Sequence, residues 1–116
     1  MKILNFKTAS AEEKYAAVRI DRRTAWGNPF IIGRDGDRAT VIAKYRVWLW
    51  AEIQAGRVKI ADLAALAGRN LICHCAPLPC HGDVLAAAAQ WAVQTEAKWK
   101  TNRMAAQNAK IKAQAA

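Results

Sequence analysis

The chain has 116 residues, 53% of them apolar, and 18 Lys and Arg against 9 Asp and Glu give it a formal charge of +9. That length suits one compact domain whose core needs no disulfide or metal to hold it, and no stretch approaches the ~18 consecutive apolar residues of a membrane span. The charge favours polyanionic partners, nucleotides or nucleic acid, although no single lysine-rich run marks a dedicated binding arm. The opening residues Met1 to Phe6 lack the apolar core and cleavage site of a signal peptide, so a cytoplasmic protein with reduced thiols is expected.

In chain order, Ile3, Leu4 and Phe6 predict a first strand. Residues 16–21 alternate, with Val18 and Ile20 on one face and Arg19 and Asp21 on the other, and predict a second. Trp26-Gly27-Asn28-Pro29-Phe30 forces a turn, and Ile31 with Ile32 adds a short extended piece. A loop through Gly33 and Asp37 then leads into a helix over about 37–55, capped by Asp35 or Asp37, with Val41, Ile42, Tyr45, Trp48, Leu49 and Ile53 on one face. Gly56 stops it. Residues 60–67 predict a short helix ending at Gly68, and residues 70–75 a buried strand. The Ala76-Pro77-Leu78-Pro79 segment is a stiff loop. A second long helix starts near residues 81–83 and buries Val84, Leu85, Ala88, Trp91 and Ala92.

From about Gln94 the composition turns to Ala, Lys and Gln. Lys98, Lys100, Arg103, Lys110 and Lys112 against Glu96 give this stretch a charge of +4. Propensity favours helix, but the apolar stripe is too thin to bury. The expected organisation is a compact α/β domain over 1–93, a short sheet flanked by helices, and a basic helical tail over 94–116 that projects and offers a protein partner a contact. Oligomeric state is not encoded legibly.

All three cysteines and both histidines of the chain fall within nine residues: Cys73, His74, Cys75, Cys80 and His81. On a strand Cys73 and Cys75 share one face and His74 takes the other. Cys80 and His81 sit where the next helix begins, where free amides and the helix dipole favour an anion and lower a thiol pKa.

Three readings follow. In the first, Cys80 is an activated nucleophile or the centre of an anion site, with His81 or His74 as base, Gly82 allowing close backbone approach and Asp83 capping the helix or orienting an imidazole. In the second, Cys73, Cys75, Cys80 and His81 hold zinc or iron; the residue types suit zinc, but the spacing lacks the usual C-x₂-C knuckle. In the third, Cys73 is a core residue and only the loop matters. Trp26, Gly27, Asn28 and Phe30 form either a second candidate surface for stacking or cradling a nucleotide or a structural turn that pins Trp26 and Phe30 into the core. Arg22 and Arg23, with Cys75 and Gly82 across from them, complete the expected binding set, and Arg34 and Arg38 flank it.

The order Trp26 to Phe30, Gly33 with Asp35-Gly36, Tyr45-Arg46-x-Trp48-Leu49 and Leu71-x-Cys73-x-Cys75-Ala76-Pro77-Leu78-Pro79-Cys80-His81-Gly82-Asp83-Val84-Leu85 resembles the domain of unknown function 4326 family of bacteria and phages, over residues 17–93. The second motif is also distantly similar to the domain of unknown function 488 family. The resemblance implies a compact α/β domain, often encoded near phage or mobile-element genes, without an established reaction. His74 replaces a residue that is often aromatic in such sequences, and the tail lies outside the resemblance. The expected function is thus an enzyme acting on a nucleotide or nucleic acid, against a zinc-stabilised nucleic-acid-binding module and a phage-encoded partner of a host protein.

Overall fold

The computed structural model describes residues 1–75 and 78–115. Along the chain run β1 (Ile3–Asn5), α1 (Ala11–Ala16), β2 (Val18–Arg19), α2 (Arg38–Gln54), α3 (Ile60–Ala64), β3 (Leu71–Cys73) and α4 (His81–Ala115). The three strands form one parallel sheet in the order β1-β3-β2. Leu71-Ile72-Cys73 lies in the middle and is buried throughout, as an apolar run in a parallel sheet should be. Asn5 pairs with Cys73, and Arg19 with Ile72, so all three strands end at the same edge.

α1 answers to no expectation drawn from the sequence. None of its residues is buried, so it carries no apolar period to read. What starts it is local: the Ser10 hydroxyl accepts from the Glu13 amide at 3.1 Å, and the Glu13 carboxylate accepts from the Ser10 amide at 2.9 Å. That reciprocal cap satisfies two otherwise free donors. The second strand is shorter than its alternating pattern, because the chain leaves the sheet for a turn held by the Thr24 amide on the Asp21 carbonyl.

The long helix α2 lies where the spacing predicts it. The Asp37 carboxylate accepts from the Thr40 amide at 2.8 Å, and Val41, Tyr45 and Leu49 face the core at intervals of four. Gly56 follows at φ +78°, a left-handed turn that glycine adopts without strain. α3 stops at Ala64, three residues early, in a run of single turns ending at Gly68. The extended piece at Ile31 and Ile32 is a single bridge from Ile32 to Gly36.

Ile20, Tyr45, Leu49, Leu63, Leu71, Leu85 and Ala89 make the core, with α2 and α3 packed against α4. Beyond Thr95 every described side chain of α4 through Ala113 is exposed. The helix stays continuous to Ala115, which stretches the molecule to 65 Å and gives a radius of gyration of 18.1 Å. A compact chain of this length has a radius near ~13 Å. The fold is a small α/β domain with a long C-terminal helix.

Candidate functional site

One cavity of about 400 Å³ opens at the carboxyl ends of the strands, the edge at which open parallel sheets bind ligands. The segments following β2 and β3 line it, together with the loop through Asn28 and Phe30 and the first turn of α2. Two sequence motifs some fifty residues apart therefore meet around one hollow. Cys73 and Cys80, 1% and 3% exposed, lie at its buried end. Phe30, Ile32, Val41 and Ile42 give an apolar side, and Arg22, Arg23 and Arg38 bring three cations to it. Arg38 also donates to the Pro79 carbonyl at 3.1 Å, tying the start of α2 to the segment before α4.

The sequence pattern passed over Asp21. Its side chain is 10% exposed, and it accepts two hydrogen bonds from the Arg19 Nε, both 3.0 Å. That guanidinium holds the Asp21 carboxyl below the usual carboxylate range. The same carboxylate lies 3.4 Å from His74 Nε2. His74 stacks on Phe6 at 4.8 Å, and Arg19 covers the Phe6 ring at 4.7 Å. The His74 ring, just past β3, is thus oriented by groups at the ends of β1 and β2 while its side chain stays 57% exposed. The only trace of this in the sequence is an acidic residue closing an alternating strand.

His81 takes a different position from the one expected of a base. It is 8% exposed, its Nε2 lies 2.6 Å from the Ile20 carbonyl, and Tyr45 meets its ring edge-on at 5.1 Å. A carbonyl only accepts, so Nε2 donates, and the ring braces α4 against the end of β2. Cys80 likewise departs from the expected thiolate. Its sulfur is 3.6 Å from that of Cys73, and this contact, followed by burial, pushes its pKa up. The Gly82 amide, 3.3 Å from the Cys80 sulfur, pulls the other way and is outweighed. The helix-end field that should activate the thiol is spent on a neutral group in apolar surroundings.

Asp83 lies off the cavity, exposed, and its carboxylate accepts from the Cys80 amide at 3.2 Å. Of its two expected roles it takes the cap and orients no imidazole. Gly82 is closed off too: a Cβ there would meet Ile20 and Ile3 side chains at 3.0 and 3.1 Å, so the glycine serves packing rather than ligand approach.

Trp26 and Gly27 do not face the cavity. Trp26 packs against the core, and its carbonyl accepts from the Tyr45 hydroxyl at 2.8 Å. A Cβ on Gly27 would come within 2.6 Å of the Asp21 carbonyl oxygen. Asn28 lines the cavity and also holds the loop, donating to the Val41 carbonyl at 3.1 Å and accepting from the Phe30 amide at 3.0 Å.

The strand ends at Cys73, and the chain bends at His74 and Cys75, so the alternation of Cys73 and Cys75 on one face does not arise. The Cys75 amide instead donates to the Cys73 sulfur at 3.4 Å. Cys75 is the most accessible of the three thiols. The proposed zinc set does not assemble: His81 Nε2 is engaged by Ile20, and among the described residues no three His, Cys, Asp or Glu side chains converge as a metal requires. Ala76 and Pro77 of the expected stiff loop lie outside the described residues. Among the described residues no helix is long and apolar enough to cross a membrane.

Residues 4–91 match the family described as Domain of unknown function (DUF4326). An uncharacterised 12.4 kDa protein from the nrdA-td intergenic region of Enterobacteria phage T4 is 40% identical over 70 residues, 60% of this chain and 63% of the phage protein. The match thus spans less than two thirds of that relative's length. No solved structure matches the chain.

Proposed function

The chain belongs to the domain of unknown function 4326 family, and we propose that its cavity takes up a nucleotide, with His74 as the acid–base group of an enzyme acting on it. One observation carries this reading: a cavity of about 400 Å³ that combines three arginines, a half-buried aromatic ring and an oriented imidazole at the carboxyl edge of a parallel sheet. The volume lies within the range of small-molecule sites, and such sites combine apolar walls with a few placed polar groups. Arg22, Arg23 and Arg38 suit a phosphate, which guanidinium groups hold bidentately. Phe30 offers a face for a base.

Within this reading His74 moves the proton. Asp21 engages Nε2, which leaves Nδ1 to serve a bound molecule, and a carboxylate behind an imidazole fixes its orientation. Cys73 and Cys80 act as a buried, shape-giving floor rather than as nucleophiles. The zinc-stabilised module has no converging ligand set among the described residues to support it.

Calorimetric titration with nucleoside monophosphates, the matching nucleosides and inorganic phosphate tests the proposal. A monophosphate should bind at least about tenfold more tightly than its nucleoside, the equivalent of one charge-assisted contact. The double substitution Arg22→Ala with Arg23→Ala should abolish that preference. Equal affinity for nucleoside and monophosphate, or a preference unchanged in the double variant, would refute it.

A further inference from the structure

The last turns of α4 present a second cationic feature, independent of the cavity. The cations are too scattered along the chain to form a run, but the helix brings three of the five, Lys100, Arg103 and Lys110, onto one side, with Lys98 and Lys112 on the other. Lys100, Arg103, Gln107 and Lys110 follow at steps of three, four and three residues, which places them on one stripe. At 1.5 Å per residue the stripe is ~15 Å long. Every side chain along it is exposed, and the segment from residue 94 carries five cations against Glu96.

The geometry points to this stripe as a contact for duplex DNA. The charge complements a phosphate backbone, and the side chains between the stripe's cations are small or polar apart from Met104: Thr101, Asn102, Gln107, Asn108 and three alanines. A helix so slim fits the ~12 Å major groove of B-form DNA, and the Gln107 amide, within the stripe, suits a base edge.

Other occupants fit less well. A second copy of the helix would need large apolar residues at heptad spacing, and only Trp99, Met104 and Ile111 are available. Met104 and Ile111 share a face, but Trp99 lies ~140° away at 100° per residue, so the anchors of a helix seated in a protein groove are also missing.

Fluorescence anisotropy with a labelled mixed-sequence DNA duplex, titrated with the full chain at several salt concentrations, tests the assignment. The triple substitution Lys100→Gln, Arg103→Gln, Lys110→Gln should weaken binding about tenfold or more at low salt and flatten the slope of log K against log salt by ~2.7, about 0.9 per lost phosphate contact. A control with the same loss of charge, Lys7→Gln, Lys14→Gln, Lys59→Gln, should stay within about twofold of the parent. Equal weakening in both variants would overturn the assignment, as would equal affinity for duplex RNA, whose deep, narrow major groove excludes a helix. Displacement of the DNA by polyglutamate at matched charge would put an acidic peptide on the stripe instead.

Discussion

His81 Nε2 lies 2.6 Å from the Ile20 carbonyl oxygen. One end of this bond is the first residue of α4 and the other is the residue after β2, and both are buried. Removing the ring strands a buried acceptor, which costs about 1–3 kcal/mol, and opens a void beside Tyr45. His81→Ala should therefore lose about 2–4 kcal/mol of stability in urea unfolding, larger than the loss in His74→Ala. A change below ~0.5 kcal/mol in His81→Ala would contradict the bracing role.

The three thiols should differ in reactivity in the native state. Cys75 is partly exposed, while Cys73 and Cys80 are buried against each other. Iodoacetamide at neutral pH should label Cys75 first, with Cys73 and Cys80 labelled only on unfolding, as read by peptide mass spectrometry. Rapid native labelling of Cys80 would restore the activated thiolate.

The same burial gives a sign to the alkaline behaviour. The folded-state pKa of Cys80 is raised, so above the ordinary thiol range, about pH 8.5, the unfolded chain loses its proton first. Stability should be fully present below that pH and fall above it. The fall should be shallower in Cys80→Ala.

Much of the scaffold was legible in the sequence because it rests on short-range patterns. Val41, Tyr45 and Leu49 repeat every four residues, and Leu71-Ile72-Cys73 is an unbroken apolar run, so α2 lies where it is expected and β3 falls within its expected span, two residues short of Cys75. α1 buries nothing and was visible only through Ser10 and Glu13.

The gathering of two motifs around one hollow follows from sheet register, which no local pattern records. Asp21 meets His74 because β2 and β3 are parallel neighbours. The same register turns Gly82 toward Ile3 and Ile20 and leaves Asp83 outside. Residue type alone makes Cys80 and His81 look reactive; the fold buries both.

Acid should act through Asp21. Arg19, with a smaller contribution from His74, holds the carboxyl pKa down, so the contribution is present above the ordinary carboxyl value near pH ~4 and is lost as pH falls through and below it. Between pH 6 and pH 3 the unfolding midpoint of the parent should fall more than that of Asp21→Asn. Parallel falls would show that the pair carries no folding linkage.

The most direct measurement is a ¹H–¹⁵N correlation titration of the protein with a nucleoside monophosphate. Saturable shifts should concentrate on residues 21–30, Arg38 and His74–Cys75, with the last three turns of α4 unmoved. Shifts confined to α4, or none anywhere at millimolar ligand, would contradict a nucleotide site in the cavity.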